Sequence, residues 1–422
     1  MIEKYKGLFT KTNNVERSIY IWNTIAGLVV ALQSAVILIV ITRTNGLEDA
    51  GIFSIAFAVS SLMLFIGEFG VRKFQVSDVD EKYSFTDYYT VRIITCAGMI
   101  IASFIYVGYS LVFGNYSVLK FAILIIVCLT KVIDAYADVF YGRFQQVGRL
   151  DIAAKTSSFR VILGTAACMA ALVITHNLLA SVIAWFFTIL ITMLMSTLVV
   201  APDFCEIKIE STFNKIKGIL IACFPLFLGY FLLLYVGNAP KYAIDTCMNE
   251  VAQAKFNFIF MPVFIVGMLA NFVFNPILVS LAEAWTTGKY KKFSRMVYRQ
   301  IGVIGVITLV TIAGGYIIGC WLLGVIYDTD LMPLRIEMCI LLIGGGMLAL
   351  VNFFAVVVTV IRCQQYLTWG YLAVAIIAKA LSNYLVNSYG ITGASLLYTG
   401  LMSLLTIVFA ITLAVCIRRR SK

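Results

Sequence analysis

Residues 21–42, IWNTIAGLVVALQSAVILIVIT, decide the class of this chain. A helix of about 20 apolar residues spans the hydrocarbon layer of a bilayer, and this stretch has the required length. A basic segment precedes it and Ala31 and Ala35 are small, so a cleaved secretory signal is the competing reading; the stretch is longer than the usual apolar core of such a signal and reads as a retained helix. Eleven more apolar stretches follow at roughly 51–71, 93–113, 119–141, 158–175, 179–200, 218–239, 255–283, 300–324, 336–361, 366–386 and 392–417. Short charged loops separate them, and none is long enough to fold as a domain of its own.

Composition agrees with this reading. Hydrophobic residues make up 61% of the 422 residues and charged residues 13%, about half the charged share of a globular protein. The net charge of +11 raises the question of nucleic acid, which the placement of the cations answers. About twenty-five fall at one set of helix ends, among them Lys82, Arg92, Arg143, Arg149, Lys155, Arg160, Lys215, Arg295 and Arg418, against about five at the other (Arg43, Lys120, Lys241, Lys255 and Arg335). That asymmetry puts both termini in the cytoplasm, requires an even number of spans and gives no nucleic-acid footprint. Ten cysteines show no paired spacing, so neither a disulfide framework nor a metal site is expected. All five tryptophans (Trp22, Trp185, Trp285, Trp321, Trp369) fall near span ends and are expected to be interface anchors.

The longest interior loop follows the sixth span and divides the chain into an amino-terminal six-helix lobe (1–200), a cytoplasmic linker (201–217) and a carboxy-terminal six-helix lobe with a basic cytoplasmic tail (218–422). Two sets of six suggest an internal repeat about an axis along the membrane normal, with a cavity between the halves.

Two stretches carry a family resemblance. RTNGLEDAGIFSIAFA (43–58) and GNAPKYAID (237–245) with AQAKFNFIFMPVFIVGMLANFVFNP (252–276) resemble the bacterial polysaccharide flippases of the Wzx type, in the multidrug/oligosaccharidyl-lipid/polysaccharide exporter superfamily. The resemblance implies an all-α fold of about 12 transmembrane helices in two lobes, a multi-pass protein of the bacterial cytoplasmic membrane. It also implies alternating-access transfer of undecaprenyl-diphosphate-linked oligosaccharide to the outer leaflet, without covalent chemistry and without a cofactor. Membrane lipids and the polysaccharide polymerase machinery are the partners expected besides the substrate.

A sugar diphosphate crossing hydrocarbon needs cations for its head and polar side chains for its hydroxyls. Arg43, Lys131, Lys241, Lys255 and Lys379 are the candidate diphosphate contacts; snorkelling to the headgroups is the plainer account of Arg43 and Lys255. Asn257, Asn271 and Asn275 share one face of the eighth helix, with Gln33 at mid-depth in the first, as candidate glycan contacts or as helix-packing hydrogen bonds. Pro262 and Pro276 make that eighth helix a candidate gate. Lys131, Asp134 and Asp138 share a face of the fourth helix: either Lys131 neutralises Asp134, or the carboxylates couple transport to a proton or sodium gradient. Glu68, four residues before Arg72, reads as a local ion pair at the inner gate and as a third coupling candidate.

Two rivals remain open. A multidrug antiporter of the same superfamily would share the fold but carry an acid deep in its first helix, and residues 21–42 contain no Asp or Glu. An envelope polymerase or ligase would need a long outer loop with acids or bases to activate an acceptor; the longest here are roughly ten to fifteen residues, so no enzyme is expected.

Overall fold

The computed structural model describes residues 2–78, 80–114, 116–274, 277–363 and 365–420, leaving aside the side chains of residues 2, 271–274, 279 and 418–420. Every regular element among them is helical: α1 (Ile2–Thr10), α2 (Val15–Thr44), α3 (Leu47–Glu68), α4 (Val71–Ser77), α5 (Phe85–Phe113), α6 (Val118–Gln146), α7 (Leu150–Thr175), α8 (Leu178–Met193), α9 (Phe213–Cys247), α10 (Glu250–Phe274), α11 (Leu278–Thr286), α12 (Tyr290–Gly314), α13 (Cys320–Tyr327), α14 (Arg335–Val360) and α15 (Gln365–Arg420). Side-chain caps set several of the starts. Asn14, Ser117 and Asn177 accept from the backbone N–H three residues on, and Ser84 and Asp87 form a reciprocal capping box at the head of α5, satisfying donors that a first helical turn otherwise leaves unpaired.

Ten helices among the described residues are long and apolar enough to cross a membrane. Two differences bring that number to the expected twelve. The last candidate, Gln365–Ile417, is two helices joined at Gly390 (φ 58°, ψ −134°), a backbone conformation that an L side chain strains to adopt. The other is α6, which has the length of a span but carries Lys131, Asp134 and Asp138 in its middle. The expected single span 255–283 covers most of α10 and the start of α11; Pro262 lies inside α10, while Pro276 is outside the described residues.

The chain forms two compact units, Met1–Phe231 and Leu232–Lys422, the boundary falling within α9. In the first unit α6 lies at the centre, packed on α3, α5, α7 and α8. In the second α14 holds the centre, against α10, α12 and α15. The reason is local: Gly344, Gly345 and Gly346 are successive residues, so they face three directions about 100° apart around the helix. A Cβ at Gly344 would stand 2.6 Å from the Tyr398 ring of α15, at Gly345 3.2 Å from Val263 of α10, and at Gly346 2.4 Å from Thr308 of α12. Three bare positions thus admit three neighbouring helices, and Thr399 fastens one contact by donating to the Ile340 carbonyl at 2.6 Å.

Trp185 departs from the expected role of interface anchor. It is 1% exposed, packed 6.1 Å from Phe53 and against Gly164, because α8 presents it to the bundle rather than to the headgroups.

Candidate functional site

The polar interior of the first unit is assembled around two carboxylates of α6. Asp134 and Asp138 are one helical turn apart and therefore share a face. Asp134 is held by Lys131 of the same helix (Nζ–Oδ2 3.0 Å) and by Arg160 of α7 (Nη2–Oδ1 2.8 Å). Asp138 is held by Arg72 of α4 (Nη1–Oδ1 3.2 Å) and Arg92 of α5 (Nη2–Oδ2 2.9 Å). Each carboxylate thus has two cations, and four helices meet through these ion pairs. Arg92 also donates to the Gly67 carbonyl at the end of α3 at 2.5 Å, which Thr95 shares at 2.7 Å, and Arg72 donates to Gln145 at 3.0 Å.

Exposure gives the cluster a direction. The Arg92 and Arg160 side chains are 0% and 4% exposed, Asp138 and Asp134 13% and 21%, and Arg72 30%. Asp138 therefore faces a partly exposed cation, Arg72, and a fully buried one, Arg92. The Tyr141 ring lies between the Arg72 and Arg160 guanidiniums, 5.9 and 5.7 Å from its centroid. Its hydroxyl, together with Nε of Arg92 and of Arg160, is buried without a protein partner.

Several expectations change here. The pairing of Lys131 with Asp134 is present as a hydrogen-bonded ion pair. Arg72 pairs with Asp138 instead of Glu68, although its spacing from Glu68 fits a helix. The helix does not continue: Phe69 and Gly70 take left-handed conformations (φ 47° and 71°), ending α3 and turning Arg72 toward α6. Glu68 stays within electrostatic range of Asp138, Arg92, Asp134 and Arg72. Arg92, Lys155 and Arg160, counted from sequence among the cations at one set of helix ends, are buried inside α5 and α7. These helices begin at Phe85 and Leu150, about two turns before their apolar stretches, and so carry their first cations into the bundle. The signal that points to Arg92 and Arg160 is the demand of two mid-helix carboxylates for more cations than Lys131 supplies.

The other candidate residues disperse. Gln33 is 5% exposed and donates to Thr165 Oγ of α7 at 3.2 Å, a packing hydrogen bond. Arg43 at the end of α2 and Lys379 on α15 are exposed, and Lys255 is half-buried. Lys241 and Asn257 are 7% and 8% exposed in the second unit. Asn275 and the side chain of Asn271 lie outside the described residues. No group of three metal-binding side chains occurs among the described residues.

No family model and no curated protein matches this chain. Solved structures do. The lipid II flippase MurJ in an inward closed conformation superposes with a TM-score of 0.74 at 11% identity, over 93% of this chain and 87% of its own. The chain has the fold of that flippase and of MATE transporters. An inward-facing multidrug resistance MATE transporter of the MOP superfamily gives 0.65 at 12% identity, covering 92% of this chain and 94% of its own. A MATE transporter of Vibrio cholerae in the bent form gives 0.57 at 11% identity, covering 96% and 97%.

Proposed function

We propose that this protein is a transporter of anionic, lipid-linked sugars, moving undecaprenyl-diphosphate-linked oligosaccharide from the inner to the outer leaflet by alternating access. The observation that carries the reading is the sign of the interior charge. Lys131, Arg72, Arg92, Arg160 and Lys241 stand against Asp134, Asp138 and Glu68. An ionised group inside a membrane domain is stabilised only by opposite charge or by water, so an interior with surplus cations suits an anionic cargo and disfavours a cationic drug. Fold similarity supports the same choice, since the lipid flippase superposes at 0.74 and the MATE structures at 0.65 and 0.57. The absence of an acid from residues 21–42 argues against the multidrug antiporter.

In this reading the doubly clamped carboxylates fix the geometry of the first unit, and Glu68, which has no ion pair among the described residues, is the freest of the three acids to exchange a proton or sodium ion.

Deletion of the gene, followed by location of lipid-linked oligosaccharide, tests the function. Complete repeat units trapped on the cytoplasmic leaflet are expected. Units that reach the outer leaflet but stay unpolymerised would transfer the function to an enzyme, and unchanged glycan with new drug sensitivity would transfer it to the antiporter.

A further inference from the structure

The second unit holds a cation that forms no ion pair among the described residues. Lys241, in the outer part of α9, is 7% exposed. Its ammonium lies 4.7 Å from the centre of the Phe260 ring, and no carboxylate among the described residues pairs with it. Asp245, one turn farther along α9, makes no ion pair with it either. The reason is directional: side chains on a helix lean toward its amino terminus, which carries the Lys241 ammonium away from Asp245 and toward the membrane interior.

Depth along the two helices says the same. Lys241 lies six residues before the end of α9, and Phe260 ten residues after the start of α10. At 1.5 Å per residue these are roughly 9 and 15 Å below the connecting turn. The ammonium therefore reaches inward, opposite to the direction in which a lysine snorkels.

Polar, under-satisfied groups lie on the Phe260 face of α10 and beside that ring. Gln253, Asn257 and Phe260 are spaced by four and three and share one face of α10. Gln253 is 1% exposed, and both polar atoms of its amide are buried without a partner. Tyr398 of α15 is 1% exposed, meets Phe260 edge to face at 4.8 Å, and its hydroxyl likewise has no partner. A buried polar atom without a partner costs about 1–3 kcal/mol, and a charged one more, so these groups gain from a ligand that meets them.

The donor set defines that ligand. One ammonium balances one negative charge, whereas a diphosphate carries more than one and calls for several cations; the amides and the phenol suit hydroxyls, and an aromatic ring suits the apolar face of a sugar. Resting on the transport reading above, we infer that Lys241, Gln253, Asn257, Phe260 and Tyr398 form a recognition site for the carboxylate-bearing sugar of an acidic oligosaccharide, separate from any diphosphate contact.

The test uses the purified full-length protein in detergent, with methyl glucuronide, methyl glucoside and inorganic pyrophosphate as probes, binding being read by ligand-observed NMR. The wild type is expected to hold the glucuronide about tenfold or more tighter than the glucoside, the size of one charge-assisted hydrogen bond. Lys241→Met removes this preference, bringing the glucuronide to the level of the glucoside; Lys241→Gln, which keeps a polar group there, serves if the methionine variant does not fold. Equal binding of the two glycosides, no binding of either, or a preference that survives both substitutions overturns the inference. Pyrophosphate that displaces the glucuronide and loses its own binding in Lys241→Met also overturns it, by making this the diphosphate site. The transport reading fails separately: gene deletion would leave lipid-linked oligosaccharide undisturbed while the purified protein still binds glucuronide.

Discussion

Replacing Asp138 by Asn keeps the shape of the side chain and removes its charge, and the structure says which partner suffers. Arg72 keeps its bond to Gln145 and has 30% of its side chain in reach of solvent, so it loses little. Arg92 has a side-chain exposure of 0% and Asp138 as its only ion-pair partner among the described residues; it becomes a buried charge left with neutral acceptors, the Gly67 carbonyl and the new amide oxygen. Breaking a buried pair in this way costs about 3–5 kcal/mol, whereas the surface pair Lys6–Asp203, with exposures of 18% and 43%, is worth about 0–1 kcal/mol. For a unit of this size each kcal/mol is about 2–4 °C in Tm, so Asp138→Asn should lower Tm by roughly 6–20 °C and Asp203→Asn by no more than about 4 °C. Thermal unfolding of the purified variants in one detergent measures both. The second step assigns the cause: adding Arg92→Met to Asp138→Asn should restore much of the loss, and adding Arg72→Met should not. Equal shifts for Asp138→Asn and Asp203→Asn, or rescue by Arg72→Met alone, would refute the claim that Arg92 is the strained partner.

Other outcomes follow from the same geometry. Gly346→Val, whose side chain would meet Thr308 with a first carbon already 2.4 Å away, should force α12 from α14 and cost more than about 2 kcal/mol, seen as a fall in Tm. Gln33→Leu, which loses one hydrogen bond to Thr165 and fills the same space, should leave transport near wild type and stability lower by about 1 kcal/mol; lost export with normal abundance would return Gln33 to the substrate path. Asp78, just outside the membrane, is raised by partial burial but lowered more by the Tyr88 hydroxyl and the Tyr83 and Lys82 N–H groups, so its carboxyl stays below the usual range. A depressed acid stabilises the folded state above its unfolded pKa of about 3.9 and loses that contribution as pH falls through its folded value. Wild type should thus lose more Tm than Asp78→Asn on acidification below about pH 4, and parallel curves would refute the assignment.

The sequence made the helices legible because an apolar stretch of membrane length has few other meanings, and the tie of Lys131 to Asp134 because both lie on one helix at a spacing of three. Less legible was whatever depended on a break in a helix or on a partner from another one. The left-handed pair Phe69–Gly70 separates Glu68 from Arg72, yet Phe at such a position gives no warning. Arg92 and Arg160 read only as helix-end cations because hydropathy sees the apolar core of a helix and not the turns that extend it. Gln33 carried no mark in the sequence to tell a packing hydrogen bond from a substrate contact, since its partner Thr165 is far along the chain and the chemistry of the two roles is the same.

The charges at the middle of α6 also bear on how the protein is made. A lysine or aspartate at the centre of a segment opposes its release into lipid by about 2.5–3.5 kcal/mol on the insertion scale, and α6 carries Lys131, Asp134 and Asp138. It is therefore a poor candidate for leaving the translocation channel on its own. Arg72 and Arg92 are synthesised before Asp138, so its partners already wait in the nascent bundle; Arg160 is synthesised after Asp134 and must follow. The order of synthesis thus favours holding α6 at the channel until α7 emerges, so that the two helices enter the bilayer together.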